Sequence, residues 1–157
     1  MIAKAGDIMT PMFNTLRPDM TLAEAVRKFL SAGEEEPHKV FGMMVTNEKK
    51  ELLGMLSMYD ILLYVRPKKS RNWEGMDDLE ISKLLAEIGR NFHTTLVRDL
   101  MTREVITVSV DTHVIRILDI MIRRHIRRMP VMQGDKIVGI LYISNVFEYL
   151  CQKALSL

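Results

Sequence analysis

The chain carries an approximate copy of itself. "DIMT" at 7–10 returns as "DLMT" at 99–102, an offset of 92. The same offset lays Asp19 on Asp111. It also lays Leu22, Ala25, Val26, Phe29 and Leu30 on Val114, Ile117, Leu118, Met121 and Ile122. All ten positions are apolar, and their spacing draws one stripe along a helix. After a change of register, "LLGML" (52–56) meets "IVGIL" (137–141), and Gly54 falls on Gly139. A tetrapeptide, a helical stripe and a glycine-centred strand in the same order indicate duplication.

Both copies read alike. A short strand ("NTLRP", "VITVSV") precedes an amphipathic helix, about 21–32 and 112–125. Next come the strands "FGMMVT" (41–46) and "MPVMQ" (129–133), a polar turn, and the strands "LLGML" and "IVGILY". Gly134-Asp135 is a hairpin signal. A helix closes each copy, about 58–65 and 144–155. The fold class is therefore α+β, with the order β-α-β-β-α twice. Three strands and two helices make a meagre core, so the two copies are expected to pack together with pseudo-twofold symmetry around a central cleft.

The expected division is 1–66 for the first repeat, 67–95 for a connector and 96–157 for the second repeat. Pro67 stops the preceding helix. In "DDLEISKLLAEIGRNF", Asp77 or Asp78 can cap a helix whose Ile81, Leu84, Leu85, Ile88 and Phe92 share a face. That face suits either cover for an exposed edge or a surface for a partner.

Composition narrows the function classes. A net charge of +2 argues against nucleic acid and acidic membranes as general partners, despite the basic runs "RPKKSR" and "RRHIRR". No apolar run approaches the ~20 residues that span a bilayer, and "MIAKAGDIMT" does not read as a signal peptide. Cys151 is the single cysteine, which fits a reducing cytoplasm. His38, His93, His113 and His125 lack metal-ligand spacing. No nucleophile beside a base and no phosphate-loop glycine run is visible, so the expectation is a protein that is not an enzyme.

"GMLSMYD" (54–60) raises the sharpest chemical question. Ser57 and Asp60, three residues apart, form a capping box. A carboxylate there can equally accept hydrogen bonds from two vicinal hydroxyls. Both readings stand on these residues alone, and one does not exclude the other. "GILYISN" in the second copy puts Tyr142 and Asn145 at the matching places.

Together, the paired "DIMT"/"DLMT", "GMLSMYDIL" and "RRMPVMQGDKIVGILYISNV" resemble a tandem pair of cystathionine β-synthase (CBS) domains, a Bateman module, over about 7–65 and 96–151. The resemblance implies a regulatory pair binding adenosine-containing ligands (AMP, ADP, ATP or S-adenosylmethionine) in a cleft between repeats. It also implies a homodimer that signals to a separate regulated protein. Ser57, Asp60 and Asn145 would meet ribose. Phe13, Asn14, Thr15, Met55, Ile106 and Tyr142 would line adenine. Arg127, Arg128, His38 and Lys39 would meet phosphate. Gly54 would leave the strand bare for close approach of a ligand. The copy with Ser57 and Asp60 is expected to bind better. Alternatives are a structural dimerisation module without nucleotide and a nucleic-acid-binding protein.

Overall fold

The computed structural model describes residues 1–35, 41–66 and 75–157. Its elements are α1 (Ala5–Ile8), β1 (Thr15–Leu16), α2 (Leu22–Glu35), β2 (Gly42–Thr46), β3 (Leu52–Ser57) and α3 (Met58–Val65). The connector forms α4 (Asp78–Thr94). The second copy follows as α5 (Val97–Leu100), β4 (Val108–Ser109), α6 (Val114–Arg124), β5 (Arg128–Gln133), β6 (Lys136–Tyr142) and α7 (Ile143–Leu155). The β-α-β-β-α order thus occurs twice, each time preceded by a one-turn helix on the repeated tetrapeptide.

The strands make two three-stranded sheets, β1-β2-β3 and β4-β5-β6. β1 runs parallel to β2, with Thr15 opposite Met44. β4 runs parallel to β5, with Val108 opposite Val131. A parallel pair needs a crossover, and the amphipathic helices α2 and α6 supply it. The turn at Gly134 and Asp135 reverses the chain, with Gly134 at φ 62°, where a side chain would be strained. β5 and β6 then pair antiparallel, Val131 opposite Gly139.

The described chain divides into two compact units that are not continuous runs of sequence. One comprises Thr15–Thr46 and Leu53–Arg103; the other comprises Met1–Asn14, Asn47–Leu52 and Glu104–Leu157. They are called here the β1–β3 unit and the β4–β6 unit. In the first, Leu16, Leu22, Ala25, Phe29, Met43, Val45, Leu56 and Ile61 are buried together with Val97 and Met101 from the later tetrapeptide region. In the second, Val108, Val114, Ile117, Met121, Met129, Val131, Leu141 and Val146 are buried with Ala5 from the N-terminal segment.

Each tetrapeptide segment is thus built into the unit of the opposite copy, and the hydrogen bonds match pair for pair. Ala5 N–H donates to Thr112 (2.8 Å) and Gly6 N–H to Val110 (3.0 Å), as Val97 N–H donates to Met20 (2.9 Å) and Arg98 N–H to Pro18 (3.1 Å). Thr10 and Ile140 exchange backbone bonds in both directions, as do Thr102 and Met55.

The helices depart from their expected faces in two places. Leu30 and Ile122, last on the repeated stripe, are 70% and 59% exposed. Eight residues along a helix turn a side chain about 80° away from the first position, enough to leave the core. On α4, Asp77 caps through Glu80 N–H (2.8 Å). Leu84, Ile88 and Phe92 are half-buried while Ile81 and Leu85 are exposed. Phe92 packs on the β1–β3 core, so only the later part of that face is used within its unit. Among the described residues, no helix is long and apolar enough to cross a membrane.

Candidate functional site

β3 passes without a loop into α3, and that junction holds Ser57 and Asp60. Ser57 is extended (φ −107°, ψ 160°), so its side chain turns back over the first helical turn. Asp60 N–H donates to Ser57 Oγ at 3.0 Å. Ser57 N–H donates to Asp60 Oδ2 at 2.9 Å. Capping box and half-buried location coexist. The second carboxylate oxygen, Oδ1, has no protein partner among the described residues and remains an acceptor. Met58 N–H donates to the Phe41 carbonyl at 2.8 Å, which fixes where the strand before β3 meets the helix.

The half of the box made by the third helical residue is common in this chain. Asp7 accepts from Lys4 N–H (2.9 Å), Asp99 from Leu96 N–H (3.2 Å) and Asn145 from Tyr142 N–H (2.8 Å). This bond alone therefore serves folding. What sets α3 apart is the Ser57 hydroxyl that completes the box and the half-buried carboxylate, where Asp7 and Asp99 are exposed.

The residues expected around adenine have varied surroundings. Thr15 is half-buried at the start of β1, and the Lys28 ammonium donates to its carbonyl. Met55 belongs to the same unit, but its backbone N–H and carbonyl are both bonded to Thr102; its half-buried side chain is what it has to offer. Phe13 and Asn14 are half-buried and fall in the β4–β6 unit. Ile106 packs against the β4–β6 core. Tyr142 caps α7 only through its backbone.

Of the residues expected at phosphate, Arg127 is exposed and Arg128 half-buried at the start of β5, opposite Tyr142. Arg123 of the same basic run is paired with Asp119 at 2.9 Å on the surface. His38 and Lys39 lie outside the described residues. Ile143 N–H donates to the Arg127 carbonyl (2.8 Å) as Met58 N–H does to Phe41. The places of Arg127 and Arg128 are therefore taken in the first copy by Phe41 and Gly42, a correspondence that sequence reasoning missed.

Gly54 does not leave its strand bare for a ligand. A Cβ built there would lie 2.5 Å from the Thr102 carbonyl oxygen and 3.1 Å from Met101 Sδ. Its counterpart at Gly139 would lie 2.5 Å from Met9 Sδ and 3.0 Å from the Thr10 carbonyl oxygen. Each glycine is a socket for the tetrapeptide of the opposite copy. The signal was in the sequence, since the glycine and the tetrapeptide are the two best-matched parts of the repeat, but nothing local joins them. An open groove along α4, lined by Met76, Glu80, Lys83, Glu87 and Arg90, includes none of the residues expected to bind. Among the described residues, no group of three or more His, Cys, Asp or Glu could hold a metal ion.

Comparison with known proteins follows the duplication. The CBS domain family model matches residues 5–67 and 97–152. The chloroplastic CBS domain-containing protein CBSX2 of Arabidopsis thaliana is 26% identical over 162 residues, covering 94% of this chain and 63% of that protein. A Methanopyrus kandleri protein is 24% identical over 112 residues, covering 71% of this chain and 47% of its own length. This chain thus spans between about half and two thirds of those relatives. The crystal structure of CBSX2 in complex with AMP superposes with a TM-score of 0.70 at 26% identity, covering 97% of this chain and 98% of that one.

Proposed function

The chain belongs to the CBS domain family, and on that premise we propose that it is a regulatory, non-catalytic module that binds an adenosine-containing ligand and signals to a separate protein. One observation carries this reading. The half-buried carboxylate of Asp60 is held by the Ser57 box with one oxygen still open, in a chain similar along 97% of its length to a protein crystallised with AMP. Asp60 Oδ1 and the Ser57 hydroxyl meet the two hydroxyls of a ribose. Acceptance by a charged carboxylate makes those bonds stronger than neutral ones. The Thr15 and Met55 side chains line the base in the same unit. AMP, ADP, ATP and S-adenosylmethionine all share the group that this junction recognises. The module works in the cytoplasm, in keeping with its single cysteine.

A thermal-shift panel of AMP, ADP, ATP, S-adenosylmethionine and their guanine counterparts tests the reading. A ligand at a hundred times its dissociation constant stabilises the protein by about 2.7 kcal/mol. Asp60→Ala is expected to remove about 1.5–3 kcal/mol of the binding free energy. No shift with any adenine ligand on folded protein would overturn the proposal, and an unchanged shift in Asp60→Ala would return that carboxylate to capping alone.

A homodimer is part of the same reading. α3 exposes Tyr59, Leu62 and Leu63, and the matching helix α7 exposes Ile143 and Phe147. Met58 and Leu62 of α3 align with Ile143 and Phe147 of α7, and all four are exposed; apolar exposure at these aligned positions supports a second copy of this chain as the partner of these faces. Light scattering across a dilution series reads the mass directly, and a monomer at every concentration would refute the dimer.

A further inference from the structure

We infer that Tyr64 and Thr95 carry ligand binding at the Asp60 corner to the connector helix α4, which makes α4 the element that reports the bound state. The inference rests on the reading above, because the ligand concerned is the one held by Asp60.

Thr95 is the point at which three helices of the β1–β3 unit are tied together. Its N–H donates to the Asn91 carbonyl (2.9 Å) and closes the last turn of α4. Its carbonyl accepts from Leu22 N–H (2.7 Å), one of the donors that the start of a helix leaves without a helical partner. Its hydroxyl is bonded to the Tyr64 hydroxyl at 2.7 Å. Tyr64 follows Asp60 by four residues on α3, so the two side chains share one face of that helix, a turn apart. Both are half-buried.

The β4–β6 unit has the same node, made differently. Tyr149 stands on α7 where Tyr64 stands on α3, and Ala3 matches Thr95 at the offset of 92. The Ala3 carbonyl accepts from Val114 N–H (3.0 Å), as Thr95 does from Leu22. Here the tyrosine hydroxyl accepts from the Ala3 N–H itself, at 2.9 Å. At Thr95 that N–H is already spent on α4, and a threonine hydroxyl takes over the contact with tyrosine. The hydroxyl pair thus stands where α4 has to be tied in.

Two features make this node a route for a response. α3 has eight residues, too few for a helix to stand by itself. The Ser57–Asp60 box holds its first turn, and Tyr64 holds its last. None of the seventeen residues of α4 is fully buried, and an element with few buried contacts is among the first to open. Opening of α4 releases Thr95, and with it the anchor of Tyr64. A ligand on Asp60 favours a formed α3 and thereby a closed α4, so one equilibrium is biased from both ends.

Backbone amide exchange of the full chain, followed by mass spectrometry, reads both helices. It is run on free protein and with AMP, ATP or S-adenosylmethionine. In the wild type a probe that binds should slow exchange in α3 and, by at least ~5-fold, in α4. Tyr64→Phe deletes only the hydroxyl; the same probe should still slow α3 and no longer slow α4. Thr95→Val should act alike, and it decides the matter should Tyr64→Phe not fold. Tyr149→Phe cuts the equivalent bond in the other unit and should keep the α4 response. Protection of α3 without α4 in the wild type overturns the inference and leaves the functional reading standing. So does an α4 response that survives in both Tyr64→Phe and Thr95→Val, or one that is lost in Tyr149→Phe. Protection of neither helix by any of the three probes overturns the functional reading itself.

Discussion

Substituting Gly54 by alanine should damage this protein more than substituting its counterpart Gly139, although both glycines meet an opposing atom at the same distance. At Gly54 the new methyl would stand 2.5 Å from the Thr102 carbonyl oxygen. Ordinary contact begins near 3.4 Å, so about 0.9 Å must be found. Thr102 is backbone, held by bonds of 2.9 and 2.8 Å to Met55, and each such bond is worth about 1 kcal/mol net. Next to it, Met101 is buried in the β1–β3 core, where overpacking costs about 1–3 kcal/mol. The restricted unfolded chain returns about 0.4–1 kcal/mol. A net loss of about 3 kcal/mol follows. At Gly139 the 2.5 Å contact is Met9 Sδ, the far end of a flexible thioether that can rotate away, and the backbone oxygen of Thr10 is already at 3.0 Å. About 1 kcal/mol is expected there. In a chain of this size the Gly54→Ala melting temperature should fall about 6–12 °C. Urea unfolding followed by circular dichroism, run on both variants, decides the matter. A Gly139→Ala cost equal to or above that of Gly54→Ala, or a Gly54→Ala cost within about 0.5 kcal/mol of zero, would refute the reasoning.

Other perturbations probe single links. Ser57→Ala removes the acceptor for Asp60 N–H and should cost about 1 kcal/mol in urea unfolding; no change would mean that the serine does not stabilise α3. His125 ends α6 in the left-handed conformation at φ 53°, so His125→Gly should raise stability by about 1 kcal/mol, read from a higher urea midpoint.

Much of this fold was legible because its determinants are local. The stripe from Leu22 to Phe29 specifies a helix whatever lies around it. The turn at Gly134 and Asp135 needs only its own dihedral angles, and the Ser57–Asp60 box spans one helical turn. The copied order of these signals was enough to expect β-α-β-β-α twice. Arg127 and Arg128 were picked out by charge, but their counterparts Phe41 and Gly42 only emerged from a backbone hydrogen bond at the start of each closing helix.

The sequence by itself determined the longer helices, the strands between them and where the chain duplicates, but not the one-turn helices α1 and α5. Only the tertiary structure decided that Met101 and Thr102 sit against Gly54 and that Met9 and Thr10 sit against Gly139. The reason is physical. Periodicity and capping act over a turn of helix, so residue types record them. A long-range contact depends on two distant surfaces fitting, and neither surface alone names its partner.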